Sequence, residues 1–397
     1  MEMNFAVQLI LLLGLSLLAI PVCVLLVQAM AAIIAQHRAT RLRVQRPRIA
    51  VLMPAHNEAG GIVEVITSVR AQLEPGDRLL VVADNCSDNT AELARRAGAQ
   101  VTERFHDQKR GKGYALDHGM AHLAADVPEV VIIVDADCIP EAGALDMVAR
   151  AAAHSGRPVQ ALYLMYSPAG AGPMRKIAEF AWLVKNLVRP LGFQHLGLPC
   201  QLMGTGMAFP WKLISKAELA TGHIVEDMKL GVDLAREGRA PLFCPEALVY
   251  SYFPSSEAGS RTQRTRWEHG HMSVILTQVP RLLAAGVGAG NGALLGLALD
   301  LCVPPLALLV LLCAGALAVS LLAWAVFSLW APAFVAALLV LAIGVSIVAA
   351  WMQYGRKVIS FGELMMAALY VLGKLPLYLK FLVNRQVEWV RSKRDTE

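Results

Sequence analysis

Charge is scarce in this chain: 17% of its 397 residues are Asp, Glu, Lys or Arg, while 56% are hydrophobic. Such a balance excludes an ordinary soluble protein and points to a soluble domain carrying membrane segments. Cysteine is thin and scattered. The seven cysteines (23, 86, 138, 200, 244, 302 and 313) make no Cys-x-x-Cys and no Cys/His ligand spacing, which excludes a zinc site and fits a reduced cytosolic compartment. Positive charge is missing from the front end, Met1-Glu2-Met3-Asn4, where a cleaved signal peptide would carry it. There is no internal repeat. The net charge of +5 is unevenly placed, with Arg38, Arg41, Arg43, Arg46 and Arg48 crowded just after the first apolar run. That position marks membrane topology rather than nucleic-acid binding.

What is present divides the chain in three. Residues 5–34 are almost uninterruptedly apolar, longer than the roughly 20 residues needed to cross a bilayer. The positive-inside tendency puts the N-terminus outside and everything after Gln36 in the cytoplasm. Residues 1–36 are therefore expected to be an N-terminal transmembrane helix and 37–280 a cytoplasmic catalytic domain. Residues 281–397 are expected to form a C-terminal membrane region with a transmembrane hairpin at about 304–327 and 333–352. Segments 294–302 and 361–383 carry charge at Asp300, Glu363, Lys374 and Lys380 and read as surface-lying or re-entrant helices, with 361–383 the alternative fourth span. Arg385, Arg391, Lys393 and Arg394 would otherwise lie outside, against the charge rule.

Between 48 and 252 short apolar runs alternate with helical stretches. Strands are expected near 49–53, 79–83, 100–103 and 130–134, and helices near 61–71, 90–97, 112–124 and 142–153. That alternation implies right-handed crossovers and a mostly parallel α/β sheet. Residues 174–191 repeat apolar side chains at helical spacing with Arg175, Lys176, Lys185 and Arg189 elsewhere. Such a helix lies on the membrane surface with its bases at the headgroups, or packs on the domain.

Candidate chemistry sits at strand ends, which share one edge of a parallel sheet. The run Val130–Val134 reads as a strand buried on both faces, and it ends in Asp135-Ala136-Asp137. Along an extended chain the two carboxylates point the same way, so they either repel or share a hard divalent cation. A helix N-cap with a chance neighbour is the blander alternative. His56-Asn57-Glu58 follows the first strand and Asp84-Asn85 the second. Asp84 could accept the N3 hydrogen of a uracil, while Asp88 or Asn89 suits a helix cap. Lys109-Arg110-Gly111-Lys112-Gly113 combines cations, flexible backbone and helix N-terminal amides, which suits a phosphate or a solvated loop. Gly204-Thr205-Gly206 allows close approach of a ligand to backbone, or makes a tight bend. Glu226-Asp227 opens a helix, where one acid caps or acts as a general base. Gln263, Arg266 and Trp267 share a helical face suited to a diphosphate and a sugar ring, or to a juxtamembrane anchor. His269 and His271 read as structural.

The ordered set Asp84, Asp135-Ala136-Asp137, Glu226-Asp227 and Gln263-x-x-Arg266-Trp267, with membrane flanks, resembles the membrane-bound family 2 inverting glycosyltransferases. These include cellulose, hyaluronan and poly-N-acetylglucosamine synthases and ceramide glucosyltransferase. The motifs cover about 48–267. The resemblance implies a GT-A fold, a nucleotide-diphosphate sugar donor (usually UDP), and Mg2+ or Mn2+. It implies Asp227 as general base. Asp137, helped by Asp135, would be the metal ligand, and Glu58, Asp84, Lys112, Asp135, Gln263, Arg266 and Trp267 would lie around the donor. Gly204, Thr205, Gly206, Glu226 and Trp267 would lie around the acceptor. Few spans favour single transfer to a lipid-linked or saccharide acceptor, in bacterial exopolysaccharide or glycolipid synthesis at the inner membrane. Membrane lipids and polysaccharide export proteins are the implied partners, with no nucleic acid. A processive synthase is the alternative, and a catalytically idle membrane subunit the alternative of another class.

Overall fold

The computed structural model describes residues 2–35, 44–254 and 257–383, and for 257–262 and 382–383 the backbone only. Arg38, Arg41, Arg43, Arg385, Arg391, Lys393 and Arg394 lie outside the described residues. The chain begins with α1 (Glu2–Ile34) and enters an α/β domain of eight strands and intervening helices. These are β1 (Ile49–Ala55), α2 (Ile62–Arg70), β2 (Arg78–Asp84), α3 (Thr90–Arg96), β3 (Gln100–Arg104), α4 (Lys112–Leu123) and β4 (Val130–Ile133). Next come β5 (Ile139–Pro140), α5 (Ala144–Ser155), β6 (Val159–Tyr166), α6 (Pro173–Leu183), α7 (Arg189–His195), β7 (Met207–Pro210), α8 (Trp211–Ile214), α9 (Glu226–Arg236) and β8 (Leu242–Tyr252).

The sheet order is β3-β2-β1-β4-β7-β6-β8-β5. β3, β2, β1 and β4 are mutually parallel, with Val51 opposite Leu79 on one side and Ile132 on the other. The second half is mixed: β7 runs antiparallel to β4 and β6, and β8 parallel to β6. Side chains of β1 alternate between two cores, as the pleat requires. Leu52 packs with Leu116, Met120 and Leu123 of α4, whereas Val51 and Met53 face Ile62, Ile66 and Val69 of α2 and α5 beyond. Val130 to Val134 are fully buried, which is what helices on both faces of a parallel strand produce.

After the sheet come α10 (Glu257–Thr277), α11 (Val279–Gly288), α12 (Gly292–Cys302), α13 (Leu306–Phe327) and α14 (Trp330–Ala350). The short α15 (Phe361–Met365), α16 (Ala367–Gly373) and α17 (Leu375–Val383) follow. Among the described residues four stretches are long and apolar enough to cross a membrane: Glu2–Ile34, Leu306–Phe327, Trp330–Gly355 and Phe361–Phe381. The last is broken into the three short helices.

Two basic segments behave differently from a membrane reading. Arg46 pairs with Asp77 at 2.7 Å and reaches Glu74 and Asp146, and Arg48 pairs with Asp126 at 2.8 Å. They tie the linker to the sheet rather than to headgroups. Residues 174–191 form α6, one π-helical turn and the start of α7, with Phe180, Val188 and Arg189 buried. This segment packs between β6 and α1, the domain-packed alternative. The approach of α7 to α1 is so close that a Cβ on Gly192 would meet the Gln28 carbonyl oxygen at 2.0 Å.

The same junction carries a buried polar knot. Asp300 of α12 pairs with Arg189 at 2.9 Å and accepts from Gln28 Nε2 at 2.7 Å and Gln201 Nε2 at 3.1 Å. Asp300 thus clamps α1, α7 and the 200–206 loop together, and α12 packs on α9, α10, α11 and α1 rather than lying on a surface. Removing one partner of a buried pair strands the other charge. Asp300→Ala is expected to destabilise the protein by about 3–5 kcal/mol, read as a lowered unfolding midpoint in detergent; an unchanged midpoint would remove the clamp.

Candidate active site

A cleft of about 460 Å³ opens at the carboxyl edge of the parallel strands, where an open α/β sheet binds its ligands. One wall comes from the loops after β1 and β2, which clasp each other. Asn57 exchanges two hydrogen bonds with Ser87, and the Glu58 amide donates to Thr90 Oγ1 at 2.7 Å. Asp88 accepts from the Ala59 and Thr90 amides and does the capping work, while Asn89 makes no side-chain cap. This clasp holds His56, Glu58 and Asp84 on the cleft. Arg104, at the end of β3, donates to Asp84 Oδ1 at 2.6 Å and lies 5.5 Å from the Tyr114 ring centre.

On the floor, Asp135 and Asp137 line the cleft after β4. They converge through a turn, closed by the Cys138 amide on the Asp135 carbonyl at 3.0 Å, rather than by extended alternation. One donor atom each from Asp135, Asp137 and Cys138 falls within 4.8 Å of the others. Burial, then the neighbouring Asp135 charge, raises the Asp137 pKa from its ordinary value, as a like charge at close range does. Burial also pushes the Cys138 thiol well up, so it stays protonated and is a poor ligand for a hard cation. The two carboxylates fit Mg2+ or Mn2+; the thiol does not contribute.

Lys112, first residue of α4, stands in the middle. Its ammonium lies 2.5 Å from Asp135, 3.9 Å from Glu226 and donates to the Gly204 carbonyl at 2.7 Å. Burial alone would lower its pKa, but Asp135 and then Glu226 outweigh that and hold it raised. The ammonium is therefore committed to protein acceptors, whereas Arg110 and Gly111 of the same loop also face the cleft.

Of the glycine bend, only Gly204 lines the cleft. Its φ of 94° suits glycine, and a Cβ there would sit 3.5 Å from Asp227. Thr205 and Gly206 do not face the cleft, correcting the expectation that all three line it. Thr205 is fully buried, with its hydroxyl accepting from the Asp135 amide at 3.1 Å. A Cβ on Gly206 would collide with Ala161 at 2.8 Å. Gln160 bolts this bend down, accepting from the Met203 amide at 2.7 Å and donating to the Thr205 carbonyl at 2.9 Å.

Glu226 and Asp227 open α9 on the cleft. Burial, opposed by Lys112 and reinforced by Asp227, pushes Glu226 up to about 7, and burial raises Asp227 as well. Gln263, Arg266 and Trp267 of α10 face the cleft together, as the i, i+3, i+4 spacing predicts. Trp267 stacks near Trp182 of α6, ring centres 4.9 Å apart. Trp182 is held by the Tyr163 carbonyl at 3.2 Å. His269 and His271 stay away, bonded to the Leu377 and Leu301 carbonyls. Sequence reasoning missed Arg104, Trp182 and Lys185. The last two lie one helical turn apart on the segment read only as amphipathic.

A Rossmann-like mixed sheet with an acidic cleft at its carboxyl edge defines the class, a GT-A-type glycosyltransferase domain. Residues 47–270 match the family described as "Glycosyltransferase like family 2", and the chain belongs to that family. It is similar to the probable glycosyltransferase YdaM of Bacillus subtilis (26% identity, 58% of this chain and 56% of the relative). It is also similar to the 4,4'-diaponeurosporenoate glycosyltransferase of Staphylococcus haemolyticus (25%, 57% and 61%). A third relative is the poly-beta-1,6-N-acetyl-D-glucosamine synthase of Staphylococcus aureus (25%, 57% and 55%). The chain thus spans somewhat over half the length of these curated relatives. Among solved structures, the mannosyltransferase PcManGT of Pyrobaculum calidifontis, in complex with GDP-Man and Mn2+, aligns at a TM-score of 0.45 with 20% identity. That alignment covers 85% of this chain and 98% of that one.

Proposed function

We propose that this enzyme is a membrane-embedded, inverting transferase that moves a sugar from a UDP-type donor to a lipid-linked or saccharide acceptor. The observation that carries the reading is convergence. Asp84, the Asp135/Asp137 pair, the Glu226/Asp227 pair and the Gln263-Arg266-Trp267 face, far apart in sequence, all border one cleft. Displacing a diphosphate from a sugar carbon needs an activated hydroxyl and a stabilised leaving group. Asp227 takes the proton of the acceptor hydroxyl. Arg266 and Gln263 hold diphosphate oxygens, Asp84 and Glu58 border the nucleoside, and Trp267 gives the acceptor sugar an apolar floor. Asp137 with Asp135 would hold Mg2+ or Mn2+, which supplies charge neutralisation on the diphosphate. Lys112 keeps the Asp135 and Glu226/Asp227 sides of the cleft in register.

The four long apolar stretches support an integral membrane protein, read as three domains: an anchor to residue 36, a cytoplasmic catalytic domain over 37–280 and a membrane region beyond. A bacterial inner-membrane setting with export proteins as partners belongs to the same reading. The test is to incubate detergent-purified protein with a panel of nucleotide sugars and a membrane lipid extract, and to identify products by mass spectrometry. One donor is expected to give a glycosylated lipid or saccharide, with the product lost on adding EDTA and restored by Mn2+ or Mg2+. Product formation indifferent to chelation would remove the cation from the reading, and no transfer from any donor would favour an idle subunit.

A further inference from the structure

A second, smaller cavity of about 100 Å³ lies beside the cleft, and Trp182, Lys185, Phe253 and Trp267 line both. Its far wall is built by the helices that leave the catalytic domain. Leu25 belongs to the end of α1 nearest the domain, Leu306 and Ala307 to the first turn of α13, and Tyr370 to α16. Each of these helices lies in one of the four stretches apolar enough to cross a membrane.

The cavity's charges are largely matched within the protein. Lys374 pairs with Glu268, and Arg189 with Asp300. Among the described residues no carboxylate lies within ion-pair distance of Lys185, whose ammonium sits 5.2 Å from the Trp182 ring centre on the wall shared with the cleft. Beyond that wall the side formed by Ala178, Ala181, Val184, Leu306 and Ala307 offers a glycan no side-chain hydrogen bond, and across from it Lys374 and His271 are already bonded within the protein, so a saccharide chain lying on the apolar side would leave hydroxyls unpaired there. A hydrocarbon chain has no such need.

We propose that this cavity receives the hydrocarbon chain of an amphiphilic acceptor. The hydroxyl-bearing head lies in the cleft near Asp227, and Lys185 marks the junction of head and chain. The inference rests on the transferase reading above and narrows its acceptor to a lipid entering from the bilayer.

The full-length enzyme in nanodiscs can be photolabelled with dodecyl β-glucoside carrying a diazirine at the chain end. Label is expected on peptides containing residues 178–185 and 303–307, falling about tenfold, the equivalent of 1.4 kcal/mol, in Ala181→Phe. Ala307→Leu, on the opposite wall, guards against a folding defect in the first variant, and retained UDP binding checks both. In parallel, KM for alkyl glucosides from ethyl to dodecyl is expected to fall with chain length in the wild type until the chain fills the cavity and then to level off, and to be flat in the filled variants. Label confined to the outward faces at Leu322 and Phe334 and unchanged by either substitution, or a KM independent of chain length, would overturn the proposal. The labelling does not need turnover, so a failure of the Asp227 assignment leaves it readable.

Discussion

Asp227→Asn is expected to lower sugar transfer by about 10²- to 10⁴-fold, the range that general-base catalysis contributes, while UDP still binds. The substitution keeps the shape of the side chain and removes its ability to take a proton. Asp227 sits at the start of α9, facing Gly204 across the cleft, and burial raises its pKa from the ordinary aspartate value. A base of raised pKa is a stronger proton acceptor than an exposed aspartate. Its neighbour Glu226 lies 3.9 Å from the Lys112 ammonium, which engages its carboxylate and makes it the poorer choice. Glu226→Gln is expected to cost less than Asp227→Asn. Isothermal titration with UDP and single-turnover transfer, run on both variants, check this; near-normal turnover in Asp227→Asn would sink the base assignment.

How much of this was legible in the sequence depends on the range of the interactions. The parallel half of the sheet was legible because β1, β2 and β4 are apolar runs buried on both faces, and the alternation with helices dictates their pairing. The mixed half was not: β7 is four residues and β5 two, too short for a period to register, and β6 and β8, though 8 and 11 residues long, were not read as strands. The acidic motifs were legible because strand ends must share an edge. The 204–206 bend was misread in part because glycine permits both ligand approach and close packing, and only the Ala161 and Val249 side chains against Gly206 decide between them. Arg46, Arg48 and Arg189 were read by proximity to apolar runs. Their partners Asp77, Asp126 and Asp300 are between 31 and 111 residues away, a distance at which charge pattern alone carries no pairing information.

Lys112→Met is expected to reduce transfer by at least about 100-fold, and to do so through the acids rather than through the donor. In the native site one ammonium answers Asp135, Glu226 and Asp227 and fixes the Gly204 carbonyl. Without it, three partly buried carboxylates face one another with no cation from the protein, which is costly for like charges at close range. The site relieves that cost by taking up protons, since like charges and burial both favour the neutral acid. Asp227 is then protonated over part of the working pH range and cannot serve as a base. The rate-limiting deprotonation should move to higher pH, and the pH–rate profile on the acid limb should shift upward with it. UDP affinity is expected to change little, because the ammonium is already committed to protein oxygens. A variant that loses UDP binding but keeps its chemical step and its pH profile would instead make Lys112 a phosphate ligand, returning the loop 109–113 to the role its composition first suggests.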